Sequence, residues 1–144
     1  MMVSTKGRYA LQIMLELAAR PEEYLSLGDI AARQEISLKY LEAIAAKLTK
    51  AGLIESKRGK LGGYRLTPAP EACTVGEVLK LTESSLASVS CLEKGACTCG
   101  RSAKCLTRPM WLELDKRIDA YLESVTLADL LSPEWRRAHF PEEG

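Results

Sequence analysis

Residues 58–63 read Arg-Gly-Lys-Leu-Gly-Gly, and three glycines in six positions rule out a helix through this stretch. Runs that suit short strands flank it, Leu53–Lys57 before and Tyr64–Thr67 after. Two strands around a glycine-rich turn predict a β-hairpin. A phosphate-cradling loop would lead into a helix, and here a strand follows, so the stretch is read as a hairpin tip. What precedes it is helical. Ala10, Ile13, Met14, Leu17 and Ala18 form one apolar stripe at i, i+3, i+4, i+7 and i+8. Ser4 or Thr5 caps that helix and Pro21 ends it. Leu27, Ile30 and Ala31 follow Ser26, which has capping-box spacing to Asp29. Leu38, Leu41, Ile44, Ala45 and Leu48 follow a capping Ser37, and Gly52 suits the left-handed position past the helix end. Three helices and then a basic hairpin is the order of a winged helix-turn-helix. In that fold the third helix enters the major groove and the wing lies on the DNA backbone.

Charge agrees with that placement. The net charge is only +1, yet residues 33–65 carry eight Lys or Arg against three Glu, while residues 109–144 carry four against eight acidic residues. One basic segment in a nearly neutral chain predicts a polyanion surface there. From charge alone, a solvated basic face is an equal alternative.

Thr74 and Glu77 have capping-box spacing for a fourth helix containing Val75, Val78 and Leu79. Residues 83–106 are loop-like and rich in Ser, Gly and Cys. Thr107 then caps a longer helix with Pro109 in its first turn. Its stripe is Trp111, Leu114, Ile118, Tyr121 and Leu122. A helix of about four turns has little internal core to cover in a chain this small, so the stripe predicts a dimer interface. Ordinary core is the alternative. A last short helix, boxed by Thr126 and Asp129, carries Leu127, Leu130 and Leu131. The polar tail from Ser132 is expected to be loosely held apart from Trp135 and Phe140. With one Phe and two Trp in 144 residues, the core must come from aliphatic side chains, which favours helices. The fold expected is mainly α with a small β-hairpin. Residues 1–82 form the DNA-binding domain, 83–106 a cysteine-rich sensor loop, 107–131 the dimerisation and terminal helices, and 132–144 the tail. No signal-like stretch or run approaching ~18 apolar residues occurs, so a cytoplasmic protein without membrane contact is expected.

Five cysteines occur, at Cys73, Cys91, Cys97, Cys99 and Cys105, four of them within 15 residues. In a cytoplasmic protein such a cluster points to a metal or redox site over a disulfide framework. Its C-x5-C-x-C-x5-C spacing lacks the paired C-x2-C knuckles of zinc sites, and soft thiolates on a loop also suit iron–sulfur clusters. Lys94, Arg101 and Lys104 would favour thiolates electrostatically. Surface thiols without a ligand are the alternative. Cys73 stands apart and is read as a small buried residue. No catalytic set is visible, and the single histidine, His139, lies in the tail and is read as solvated.

Several stretches together resemble the IscR/NsrR/CymR family of bacterial winged-helix regulators, IscR-like members above all. They are Ser4–Ala10, Asp29–Glu42, Leu53–Tyr64, Thr74–Val78, Cys105–Trp111 and Thr126–Leu130, which fall in family order across residues 2–131. The resemblance implies a homodimer with crossing C-terminal helices, bound to a double-stranded DNA operator. It implies an iron–sulfur cluster, usually 2Fe-2S, held by three loop cysteines, and control of iron–sulfur assembly genes, with assembly proteins as further partners. DNA-contacting positions map to Ser37, Leu38, Lys39, Tyr40, Glu42 and Ala43, and to the wing at Arg58, Lys60, Gly62 and Gly63. Glu42 stands where the family's glutamate influences operator choice.

This sequence departs from the family in its ligand set. Arg108 occupies the position of a histidine that completes the cluster in one branch, and arginine cannot deprotonate to bind iron. The family loop reads C-x5-C-x5-C. Counting forward from Cys91 selects Cys97, and counting back from Cys105 selects Cys99; the expected ligands are Cys91, Cys99 and Cys105, with Cys97 a fourth ligand or a spare thiol. Nitric-oxide-sensing relatives recruit a carboxylate near the N-terminus, where this chain has Arg8. Three functions follow: a cluster-dependent regulator, a cluster-free regulator sensing thiol state, nitric oxide or a partner, and a small electron-transfer protein. The last leaves the wing without a role.

Overall fold

Six helices start on a serine or threonine whose hydroxyl accepts a hydrogen bond from a backbone N–H of the first turn. The computed structural model describes residues 3–92 and 105–140. In order these hold α1 (Thr5–Ala18), α2 (Leu27–Gln34), α3 (Leu38–Lys50), β1 (Ile54–Lys57) and β2 (Gly63–Leu66). Then come α4 (Val75–Thr82), α5 (Arg108–Ser124), α6 (Leu127–Leu131) and α7 (Pro133–His139), with single 3-10 turns at Pro70–Ala72 and Ser90–Leu92.

The core is aliphatic, as composition requires. Ile13, Met14 and Leu17 of α1 meet Ile30 of α2, Leu41, Ile44 and Leu48 of α3, Ile54 of β1, Val78 of α4 and Leu127 of α6, all fully or almost fully buried. A second cluster of Val75, Leu79 and Val125 is packed by Leu86, Leu122, Leu130 and Trp135. The two meet where the Val75 N–H donates to the Val125 carbonyl at 2.8 Å and the Leu127 N–H to the Cys73 carbonyl at 3.0 Å. That paired crossing, Thr74 opposite Thr126, fastens the α5–α6 corner to the start of α4.

The structure departs from the sequence reading in six places. α1 stops at Ala18, before Pro21. Leu38 leaves the apolar face of α3 and is 43% exposed, because it occupies the first turn, beyond the core. Only Thr126 and Asp129 complete a capping box; at Ser26 and Thr74 just the hydroxyl half forms. Thr107 precedes α5 but makes no side-chain cap. Up to residue 139 the tail is not loosely held: Ser132 caps α7, Pro133 fits its first position, and Trp135 packs on the second cluster. Phe140 is not held, being 80% exposed.

Candidate nucleic-acid interface and cysteine site

α3 buries one side and presents the other. Leu41, Ile44, Ala45 and Leu48 face the core, while Leu38, Lys39, Tyr40, Glu42 and Ala43 are exposed. Ser37 holds the first turn through its hydroxyl, 3.4 Å from the Tyr40 nitrogen. Tyr40 is steadied by Tyr9 of α1, edge to face at 5.6 Å between ring centres. The positions carried over from the family thus share the solvent face of one helix.

The angle of α3 depends on a residue that sequence reasoning passed over. Glu35, between α2 and α3, has φ 54° and ψ 44°, the left-handed region. It lets the Ile36 N–H reach back to the Ala31 carbonyl at 3.0 Å, closing α2 before α3 begins. No Gly or Asn marks the position, so the sequence carries no signal for it. α2 is tied to α1 by Glu16, which accepts from Arg33 at 3.0 Å and from Gln34 at 2.9 Å. Burial alone would raise the Glu16 carboxyl, but these donors outweigh it and hold the carboxyl below its ordinary value.

The wing is a two-stranded hairpin with Ile54 opposite Leu66 and Lys57 opposite Gly63. Leu25 adds a third rung, exchanging both backbone hydrogen bonds with Tyr64 at 2.8 Å. Gly62 and Gly63 are sterically required: a Cβ on Gly62 would collide with the Lys57 carbonyl, and one on Gly63, at φ +144°, with the Leu25 carbonyl. Arg58 and Lys60 are exposed and make no ion pair among the described residues. At the wing root Arg65 pairs with Glu55, which also accepts from the Tyr24 hydroxyl. The Arg65 guanidinium, and secondarily the Tyr24 hydroxyl, keep the Glu55 carboxyl below its ordinary value. Arg65 and Lys57 lie against the Tyr24 ring at 4.6 and 5.5 Å. The basic stretch is therefore not uniformly free: Arg33 and Arg65 are matched by carboxylates, leaving the wing tip and the α3 face as the positive surface. Lys47 adds to it, sitting beside Lys6 and pushing that amine below its usual value.

The cysteines divide sharply. Cys73 is fully buried, and its thiol is pushed up to about 11 by burial and then by the Glu77 charge, so it is unsuited to thiolate ligation. Cys105 is half-buried just ahead of α5. Hydrogen bonds from the Thr107 hydroxyl at 3.4 Å and from the backbone N–H groups of Thr107 and Arg108 hold its thiol below the ordinary value. That environment suits a thiolate ligand. Cys91 is exposed. Cys97 and Cys99, with Lys94, Arg101 and Lys104, lie outside the described residues. Among the described residues no three His, Cys, Asp or Glu side chains gather as a metal site. Arg8 is exposed, donating to Thr5 at 3.3 Å. His139 stacks on Trp135 at 4.0 Å, with its Nδ1 2.8 Å from that residue's carbonyl.

α5 docks by charge. Asp115, Asp119 and Glu123, spaced i, i+4 and i+8, face α4 and the segment after it. Asp115 accepts from the Ser88 N–H at 2.8 Å, and Lys80 lies 2.7 Å from Asp119 and 2.8 Å from Glu123. The two carboxylates raise the Lys80 amine to about 12. This acidic ladder went unnoticed beside the apolar stripe, although its spacing was legible. Of that stripe, Leu122 packs inward, Trp111 and Ile118 are half-buried, and Leu114 and Tyr121 are exposed, as are Met110 and Leu112. α5 has no buried residue, and of its stripe Leu122 alone packs on a core cluster within one chain. Among the described residues no helix is long and apolar enough to cross a membrane.

The Rrf2 family, described as an iron-dependent transcriptional regulator, matches residues 3–133. The HTH-type transcriptional regulator IscR of Aliivibrio salmonicida is 41% identical over 132 residues, spanning 91% of this chain and 77% of that protein. IscR of Klebsiella pneumoniae is 40% identical over 133 residues, 92% of this chain and 80% of its own. Among solved structures, the global cysteine regulator CymR of B. subtilis superimposes with a TM-score of 0.75 at 38% identity, covering 90% of this chain and 95% of CymR. IscR of T. potens gives 0.74 at 36% identity, covering 100% and 94%.

Proposed function

Because this chain belongs to the Rrf2 family and is a winged-helix, DNA-binding transcriptional regulator and not an enzyme, we propose that its operator binding is set by an iron–sulfur cluster, of the 2Fe-2S type, on the cysteine loop. The observation that carries this reading is Cys105, whose thiol is held toward the thiolate by three donors at the start of α5. Cys91 and Cys99 complete the set, and Cys97 is a fourth ligand or a spare thiol, since Arg108 stands where one branch of the family has a histidine. Bound there, the cluster would supply a redox- and iron-sensitive crosslink between the loop and α5. The residues of this chain do the rest. Asp115, Asp119 and Glu123 hold α5 to α4 and to Ser88, so a change in the loop bears on the helix beside the DNA-binding core.

A homodimer joined through Trp111, Leu114, Ile118, Tyr121 and Leu122 would cover the exposed stripe of α5 and place two winged helices on a two-fold operator. Ser37–Ala43 would read the major groove, with Glu42 selecting bases, and Arg58 and Lys60 would contact the backbone or minor groove. Iron–sulfur assembly genes are the regulon this reading favours, in the cytoplasm.

A cluster-free thiol sensor is the second reading. It is favoured by the likeness to CymR, a cysteine regulator by its name, and by Arg108, whose guanidinium offers no lone pair. Anaerobic purification with iron and sulfide analysis, an absorption spectrum and the four single Cys→Ala variants separates the two. A coloured, iron- and sulfide-containing protein that loses its spectrum in Cys91→Ala, Cys99→Ala and Cys105→Ala supports the first. A colourless protein that binds DNA in a thiol-dependent way supports the second.

A further inference from the structure

Leu61 is the unexplained residue of the wing. It is 87% exposed at the hairpin tip, directly after Arg58 and Lys60, two cations without an ion pair among the described residues. Two other large apolar residues are as bare, Leu106 and Phe140, but each borders residues outside the described chain. Leu61 lies in the turn between β1 and β2, far from any such border on either side, so its own surroundings set its exposure.

The turn holds it there. The Gly62 N–H donates to the Gly59 carbonyl at 3.0 Å, closing the turn over Lys60 and Leu61. Gly62 and Gly63 press so closely on the Lys57 and Leu25 carbonyls that no side chain fits inside. Leu61 is thus held in solvent on the same turn as the two exposed cations.

We propose that Leu61 is an apolar DNA contact that packs against the sugar walls and base edges of the minor groove beside the anchoring contacts of Arg58 and Lys60. The occupant is fixed by charge: an apolar tip preceded by two cations that are unpaired among the described residues, with no carboxylate on the turn, fits a groove walled by phosphates. The inference rests on the wing being a DNA-contacting element. It differs from a phosphate contact in its salt dependence, because burying a leucine releases no counterions.

The test uses the full chain and a duplex recovered by selection from a random library with the wild-type protein, titrated at several salt concentrations. Leu61→Ala is expected to weaken binding about tenfold, or about 1.4 kcal/mol, with the slope of log affinity against log salt unchanged. Leu61→Met restores binding to near wild type. Arg58→Ala lowers the slope by about one. If Leu61→Ala binds like wild type while Arg58→Ala loses slope, the inference is overturned and the wing assignment stands. If neither variant changes binding, the wing does not touch DNA and both fail.

Discussion

The Thr107 hydroxyl, placed by sequence to cap α5, lies 3.4 Å from the Cys105 sulfur and caps nothing. Thr107 sits in the right-handed helical region at φ −92°, ψ −17°, where the hydroxyl cannot reach the first-turn N–H groups as the other caps do. The expected capping residue instead sits beside the Cys105 thiol and helps hold it below its ordinary value, at the junction of sensor loop and long helix.

Removing that donor should raise the Cys105 pKa. In the cluster-free protein, Thr107→Val is expected to slow iodoacetamide labelling of Cys105 several-fold near neutral pH, since the thiolate is the reacting form. Mass spectrometry of the Cys105 peptide isolates it from the other thiols. Cys73 serves as the internal contrast: buried and pushed up to about 11, it should label only on unfolding. Unchanged Cys105 labelling in Thr107→Val would show that the hydroxyl does not bear on the sulfur.

Glu35 should yield stability to glycine. An L-residue other than glycine in the left-handed region is strained by about 1–2 kcal/mol, offset in a glycine variant by the greater freedom of the unfolded chain. Glu35→Gly should gain about 0.5–1 kcal/mol in urea denaturation at fixed protein concentration. The same change to alanine should gain nothing, because alanine keeps the Cβ. Equal effects of the two substitutions would place the Glu35 contribution in its carboxylate instead of its backbone.

These two residues mark the limits of what the chain discloses. Apolar periodicity located α1 to α4 because side-chain spacing and core burial are one constraint, and the glycines at 59, 62 and 63 located the wing because Gly62 and Gly63 permit its close contacts and Gly59 its positive φ. Left-handed Glu35 left no trace, since tertiary packing overrides a local preference without changing the residue that reports it. α7 was missed for a related reason: Pro133, Trp135 and Arg136 are too few to show a period, and Trp135 earns its place only by packing on Val75, Leu79 and Val125. The stripe on α5 was legible as apolar, while its acidic ladder to Lys80 and Ser88 needed the spatial arrangement of α4.

The wing depends on Gly63 more than on any charge. Its φ of +144° and the Leu25 carbonyl beneath it leave no room for a methyl group. Gly63→Ala should cost about 1–3 kcal/mol of stability, and it should separate Tyr64 from Leu25, tilting the hairpin. Operator affinity should fall with it, while the thermal unfolding of Gly59→Ala, whose Cβ would meet nothing within 4 Å, shifts only by the strain of its own φ. A Gly63→Ala protein as stable as wild type would mean that the Leu25 rung is dispensable.

Glu16 gives α2 a pH-dependent anchor, and its direction follows from the lowered carboxyl. An unfolded glutamate titrates near 4.5, and the donors Arg33 and Gln34 hold the folded one lower. Below 4.5 the unfolded chain takes up the proton first, so acid favours unfolding. The contribution is complete above that value and disappears as pH falls through the folded pKa. Because Arg33 is nearly half exposed, the contribution should be at most about 1 kcal/mol and should weaken in salt. Comparing wild type with Glu16→Gln by urea denaturation from pH 7 to pH 3 should show a constant gap down to about pH 5 and a shrinking one below it. A gap that stays level to pH 3 would assign the role of Glu16 to its shape and not to its charge.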